Sequence, residues 1–109
     1  MVGQSIESGC MRITLHEAAA IRRVTAEVAG PDAHVKLFGS RTRDDLRGGD
    51  IDLLIELSEP TPDKLSVSLR AGAQLQMLIG ERKIDVLVTD PQTVETPLIR
   101  AARLEGIAL

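Results

Sequence analysis

Apolar residues recur along the 109-residue chain at two different periods, and the switches between them mark six predicted elements. Leu15, Ala18, Ala19, Ile21, Val24 and Val28 fall at three- and four-residue intervals, which predicts an amphipathic helix. Thr14 and Glu17 have the spacing of a capping box and set its start; Gly30-Pro31 stops it. Val35 to Phe38 then reads as a short strand cut off by Gly39. The segment from Arg41 to Gly49 is polar and charged, and Gly48-Gly49 frees the backbone just before Asp50. Asp50 to Leu57 is the longest predicted strand, with Ile51, Leu53, Ile55 and Leu57 on one face.

The pattern returns to helix after Thr61-Pro62, with Thr as N-cap and Pro at the first helical position. Leu65, Leu69, Leu75, Leu78 and Ile79 supply the apolar side of this second helix, and Gly80 ends it. Ile84 to Val88 is a third strand. A last helix starts at Asp90-Pro91 or at Thr96-Pro97, runs through Leu98, Ala101, Ala102 and Leu104, and ends at Gly106. The order α-β-β-α-β-α predicts an α/β (α+β) domain, three strands with helices packed on them. The short link between the first two strands suits an antiparallel pair, so the sheet is expected to be mixed. Residues 1–13 read as a flexible N-terminal arm, with Met11 as an alternative start, and residues 14–109 as one domain.

Three acidic residues interrupt this apolar pattern. Side chains on a strand alternate in direction, so Asp50 and Asp52 share a face and lie roughly 6–7 Å apart, a spacing that clamps a hard cation. Asp52 is enclosed by Ile51, Leu53 and Leu54, with no Lys or Arg in the strand to pair with it. Asp85 is likewise set against Ile84, Val86 and Val88. A salt bridge to Arg82 or Arg100 is one reading of Asp85; convergence with Asp50 and Asp52 is the other. Three converging carboxylates suit two-metal phosphoryl chemistry, two of them bridging the ions and one orienting or deprotonating a nucleophile. Gly39-Ser40, nine residues earlier, permits a close approach to phosphate, and Arg41 is the first of three guanidinium groups (with Arg43 and Arg47) suited to phosphate oxygens. Glu56 falls deeper on the same face and reads as structural. His16, His34 and Cys10 have no partners at ligand spacing.

Composition narrows the partners. One Phe, no Trp and no Tyr argue against a base-stacking surface, and a net charge of −3 argues against a broad phosphate-backbone surface, so no direct nucleic-acid binding is expected. No apolar run approaches a membrane span, and the N-terminus lacks the basic and apolar regions of a signal peptide. With a single cysteine, a reducing, cytoplasmic setting is expected.

Phe38-Gly39-Ser40, Asp50-Ile51-Asp52-Leu53-Leu54 and Lys83-Ile84-Asp85-Val86-Leu87 together resemble the minimal nucleotidyltransferase family, the smallest members of the DNA polymerase β-like superfamily. The tail Leu98 to Gly106 resembles that family's closing helix, and the likeness spans Leu15 to Leu109. The resemblance implies a polymerase β-like core in which Gly39 and Ser40 hold the β- and γ-phosphates of ATP. It further implies that Asp50 and Asp52 ligate two Mg²⁺ ions, while Asp85 ligates one of them and activates an acceptor hydroxyl. AMP would be transferred and pyrophosphate released. Many such short chains are antitoxins that bind a HEPN-domain ribonuclease toxin or adenylylate it on tyrosine. A protein partner of that kind is therefore expected, together with a possible homo-oligomer. The rival expectation is a non-catalytic binding module that neutralises its partner by occlusion.

Overall fold

The structure, a computed structural model, describes residues 13–38, 51–80 and 83–109. The capping box forms as the sequence dictates. Thr14 Oγ1 accepts from the Glu17 amide and Glu17 Oε1 from the Thr14 amide, both at 3.0 Å, opening α1 (Leu15–Ala29). The chain leaves α1 through Gly30 at φ +100°, a conformation that favours glycine. Strand β1 (His34–Phe38) pairs antiparallel with β2 (Ile51–Glu56), with Phe38 opposite Asp52. Helix α2 (Lys64–Ile79) then crosses over so that β3 (Ile84–Thr89) lies parallel to β2. After α3 (Pro97–Glu105), a two-residue β4 (Ile107–Ala108) pairs antiparallel with the outer side of β1. Among the described residues the fold is thus a mixed α+β domain of three helices and a four-stranded sheet, in the order β3-β2-β1-β4.

The fourth strand corrects the expected three: two residues are too few to show a period, and β4 exists through its pairing to β1. Gly106 lets the chain turn into it, because a Cβ there would run into the Ala102 carbonyl and the Lys36 side chain. The start of the second helix also differs. Asp63, not Thr61, is the N-cap, its side chain accepting from the Ser66 amide at 3.1 Å, while the Thr61 amide donates to Asp90. Of the two starts open for the last helix, the structure has Thr96-Pro97.

Alternation along β2 divides the sheet into two faces. Ile51, Leu53, Ile55 and Leu57 join Ile21 and Val24 of α1 and Ala71 and Leu75 of α2 in one buried cluster. Leu53 is wholly buried, which stabilises the fold by about 2 kcal/mol relative to exposure. Leu54 points to the opposite face, where α3 lays down Ile99 and Ala102. Arg103 fastens α3 there: its guanidinium donates to Glu56 and Glu95, both at 2.6 Å, and its carbonyl accepts from Lys36 Nζ at 2.9 Å. Glu56 has the structural role read from its position. Of the apolar side expected for α2, Leu75 is buried and Ile79 packs against the cluster, whereas Leu65, Leu69 and Leu78 are 68%, 63% and 44% exposed. No helix among the described residues is long and apolar enough to cross a membrane.

Candidate active site

Asp52 and Asp85 are each the second residue of their strand, and β2 and β3 run in register so that the two are direct partners. In-register neighbours of a parallel pair project to the same face, and adjacent strands lie about 4.8 Å apart, so the carboxylates stand side by side. Phe38, opposite Asp52 on β1, completes a row across three strands. The row sits on the face that carries α3, near the end of β1 and the beginnings of β2 and β3. Ile84, Val86 and Val88 turn the other way, against the buried cluster.

Asp52 is half-buried and Asp85 exposed. Among the described residues no hydrogen bond or ion pair engages the Asp85 carboxylate, Arg100 included; Arg82 lies outside them. Both aspartates line a groove of about 920 Å³ that α2, β3 and α3 bound together. Gly39, Ser40, Arg41 and Asp50, also expected at the site, lie outside the described residues. Among those described, no three His, Cys, Asp or Glu side chains group to hold a metal ion. The described donor set is two carboxylates with one of them unengaged. That fits a hard divalent ion such as Mg²⁺, which takes one or two carboxylates and completes its shell with water and phosphate oxygens.

The most perturbed acid among the described residues lies elsewhere. Asp90, buried just past β3, is five residues from Asp85, roughly 16 Å along an extended chain. Its carboxylate accepts from the Thr61 amide (2.8 Å), Lys64 Nζ (3.2 Å), the Gln92 amide (2.9 Å) and Thr93 Oγ1 (3.1 Å). The Thr61 amide bond, reinforced by Lys64, Gln92 and Thr93 and opposed by burial, lowers its pKa from 3.8 to about 2. Every lone pair is engaged, so Asp90 ties the loop after β3 to the start of α2 and offers nothing to a ligand. In sequence the residue reads only as a possible helix start, because two of its partners, Thr61 and Lys64, lie 29 and 26 residues away. A carboxylate whose folded pKa is lowered adds stability that is complete above its unfolded pKa and is lost as pH falls through the folded value. The melting temperature of the wild type is therefore expected to drop between about pH 4 and pH 2. Asp90→Asn is expected to start lower and to lose that step, as scanning calorimetry across this pH range would measure.

A family model described as a nucleotidyltransferase domain matches residues 20–107. No curated protein and no solved structure matches the chain.

Proposed function

The chain belongs to the nucleotidyltransferase family, and from that premise we propose that it transfers AMP from ATP to a hydroxyl of a protein partner. The family implies transferase activity on a nucleoside triphosphate, typically with a divalent metal. The choice of ATP, Mg²⁺ and a protein acceptor is our reading. The observation that carries it is the side-by-side pair Asp52 and Asp85 in an open groove with mostly apolar walls.

In the transfer, the acceptor oxygen attacks the α-phosphorus of ATP. The new O–P bond forms as the bond from that phosphorus to the pyrophosphate oxygen breaks, and the electron pair departs with pyrophosphate. The acceptor proton goes to the Asp85 carboxylate, which is exposed and unengaged among the described residues, and from there to water. Asp52 and Asp85, with Asp50, would hold two Mg²⁺ ions, whose charge offsets that of the phosphates and polarises the reacting oxygens. Gly39, Ser40 and Arg41 are assigned to the phosphates on the sequence pattern.

The sequence resemblance supports a minimal nucleotidyltransferase of the antitoxin type, with a tyrosine of a HEPN-type toxin as acceptor. Incubating the chain with ATP, Mg²⁺ and the product of the adjacent gene tests this. The partner's intact mass is expected to rise by one AMP group, on tyrosine. Tight binding with no gain in mass would instead establish neutralisation by occlusion.

A further inference from the structure

The groove is larger than an acceptor hydroxyl requires, and its lining has a consistent chemistry. From α2, Leu69, Gly72 and Ala73 face it at helical spacing; from α3, Leu98, Ala101 and Glu105 do so. Leu69 and Leu98 are 63% and 58% exposed, although both are large apolar side chains. No Lys or Arg is among the described lining residues, and the charges present are those of Asp52, Asp85 and Glu105. Apart from phosphates brought in on a metal at the two aspartates, such a surface offers no cation to a phosphate or a nucleic-acid backbone. It favours an apolar ligand carrying positive charge.

Between the helices lies the open edge of β3, on which no described strand pairs. The Ile51 amide donates to the Lys83 carbonyl and the Leu57 amide to the Thr89 carbonyl, so the odd-numbered residues direct their main chain at β2. Ile84, Val86 and Val88 therefore direct theirs outward. The Val86 carbonyl indeed accepts from Ser68 Oγ, on α2, at 2.8 Å. An extended polypeptide meets such an edge with its own amides. Gly72 adds a second sign. Glycine is a poor helix former, and a Cβ at this position would touch nothing within 4 Å, so no contact inside the described chain calls for glycine here.

We propose that this groove binds an extended segment of the acceptor protein, apolar and carrying Lys or Arg beside its hydroxyl-bearing residue. The proposal rests on the protein-acceptor reading above. Its test uses the full chain and two fluorescein-labelled peptides, Ala-Lys-Val-Tyr-Val-Lys-Ala and the same peptide with Glu in place of Lys, followed by fluorescence anisotropy. The lysine peptide is expected to bind at least about tenfold more tightly. Gly72→Leu is expected to weaken that binding by a similar factor, and Glu105→Lys to erase the preference, while Met77→Gln, on α2 outside the groove, changes neither. Gly72→Ala, melting a few degrees above wild type (roughly 4–8 °C for its helix propensity), shows that the position tolerates a side chain. Equal binding of the two peptides, or undiminished binding by a folded Gly72→Leu chain, overturns the groove. With ATP and Mg²⁺ present, mass spectrometry of the bound peptide reads the activity separately. Selective binding without AMP addition upholds the groove and counts against the activity; AMP addition without selectivity does the reverse.

Discussion

Asp85→Asn is expected to slow AMP transfer by about 10³-fold, far more than the loss of one groove charge weakens partner binding. A positioned general base contributes about 10²–10⁴-fold, and Asn keeps the shape of Asp without accepting the proton. Because deprotonation is completed in the transition state, the loss should appear chiefly in the rate of the bound complex and far less in its affinity. The fold gives no reason for the variant to fail structurally. Asp85 is exposed, no described residue pairs with it, and its register partner on β2 is a second carboxylate. Removing one of two adjacent like charges leaves the melting temperature unchanged or raises it. Loss of activity without loss of stability would mark Asp85 as a residue kept for function. Single-turnover transfer followed by mass spectrometry, together with a thermal melt, measures both. A rate within about tenfold of wild type would remove Asp85 from the role of base. Full protection of cells from the partner by this variant would mean that binding, not catalysis, neutralises it.

The parts of the fold legible in the sequence are those whose causes are local. Thr14 and Glu17 close the capping box between themselves, three residues apart, and the alternation of Ile51, Leu53 and Ile55 is a property of one strand. The misread parts depend on distant partners. Thr61 looks like a cap, but the helix is capped two residues later by Asp63, and the Thr61 amide donates to Asp90, 29 residues on. Leu65 and Leu69 look like core until the helix is docked through Ala71 and Leu75, which turns those leucines outward. β4 has no signature of its own, since Leu37 and Ile107 become neighbours only when α3 folds back across β1. The candidate site is intermediate. Each aspartate stood out against apolar neighbours, so its face was readable. That Asp52 and Asp85 are register partners followed only from the parallel crossover through α2. The positions expected to hold the phosphates, Gly39, Ser40 and Arg41, lie outside the described residues, as does Asp50.

Asp52→Asn is expected to uncouple nucleotide binding from the metal. Asp52 sits between Phe38 and Asp85 in the row across the sheet and is more enclosed than Asp85, which suits a ligand more than a proton carrier. An amide oxygen is a weaker donor to a hard cation than a carboxylate, and Asn removes a full negative charge from the site. Since Mg²⁺ shares its shell between carboxylate and phosphate oxygens, weakening the protein side lowers affinity for the metal–nucleotide pair. Titration calorimetry with ATP at saturating Mg²⁺ should give a dissociation constant at least about tenfold higher than wild type. Without metal the order should reverse, because one fewer carboxylate then repels the phosphates. Transfer should fall by about 10²–10³-fold, corresponding to the several kcal/mol of charge stabilisation that such an ion supplies. The reversal is the decisive reading, since a merely misfolded or misshapen site would weaken both titrations together. Equal ATP affinity of variant and wild type in saturating Mg²⁺ would take Asp52 out of the ligand set, leaving Asp85 and Asp50 to account for any metal dependence.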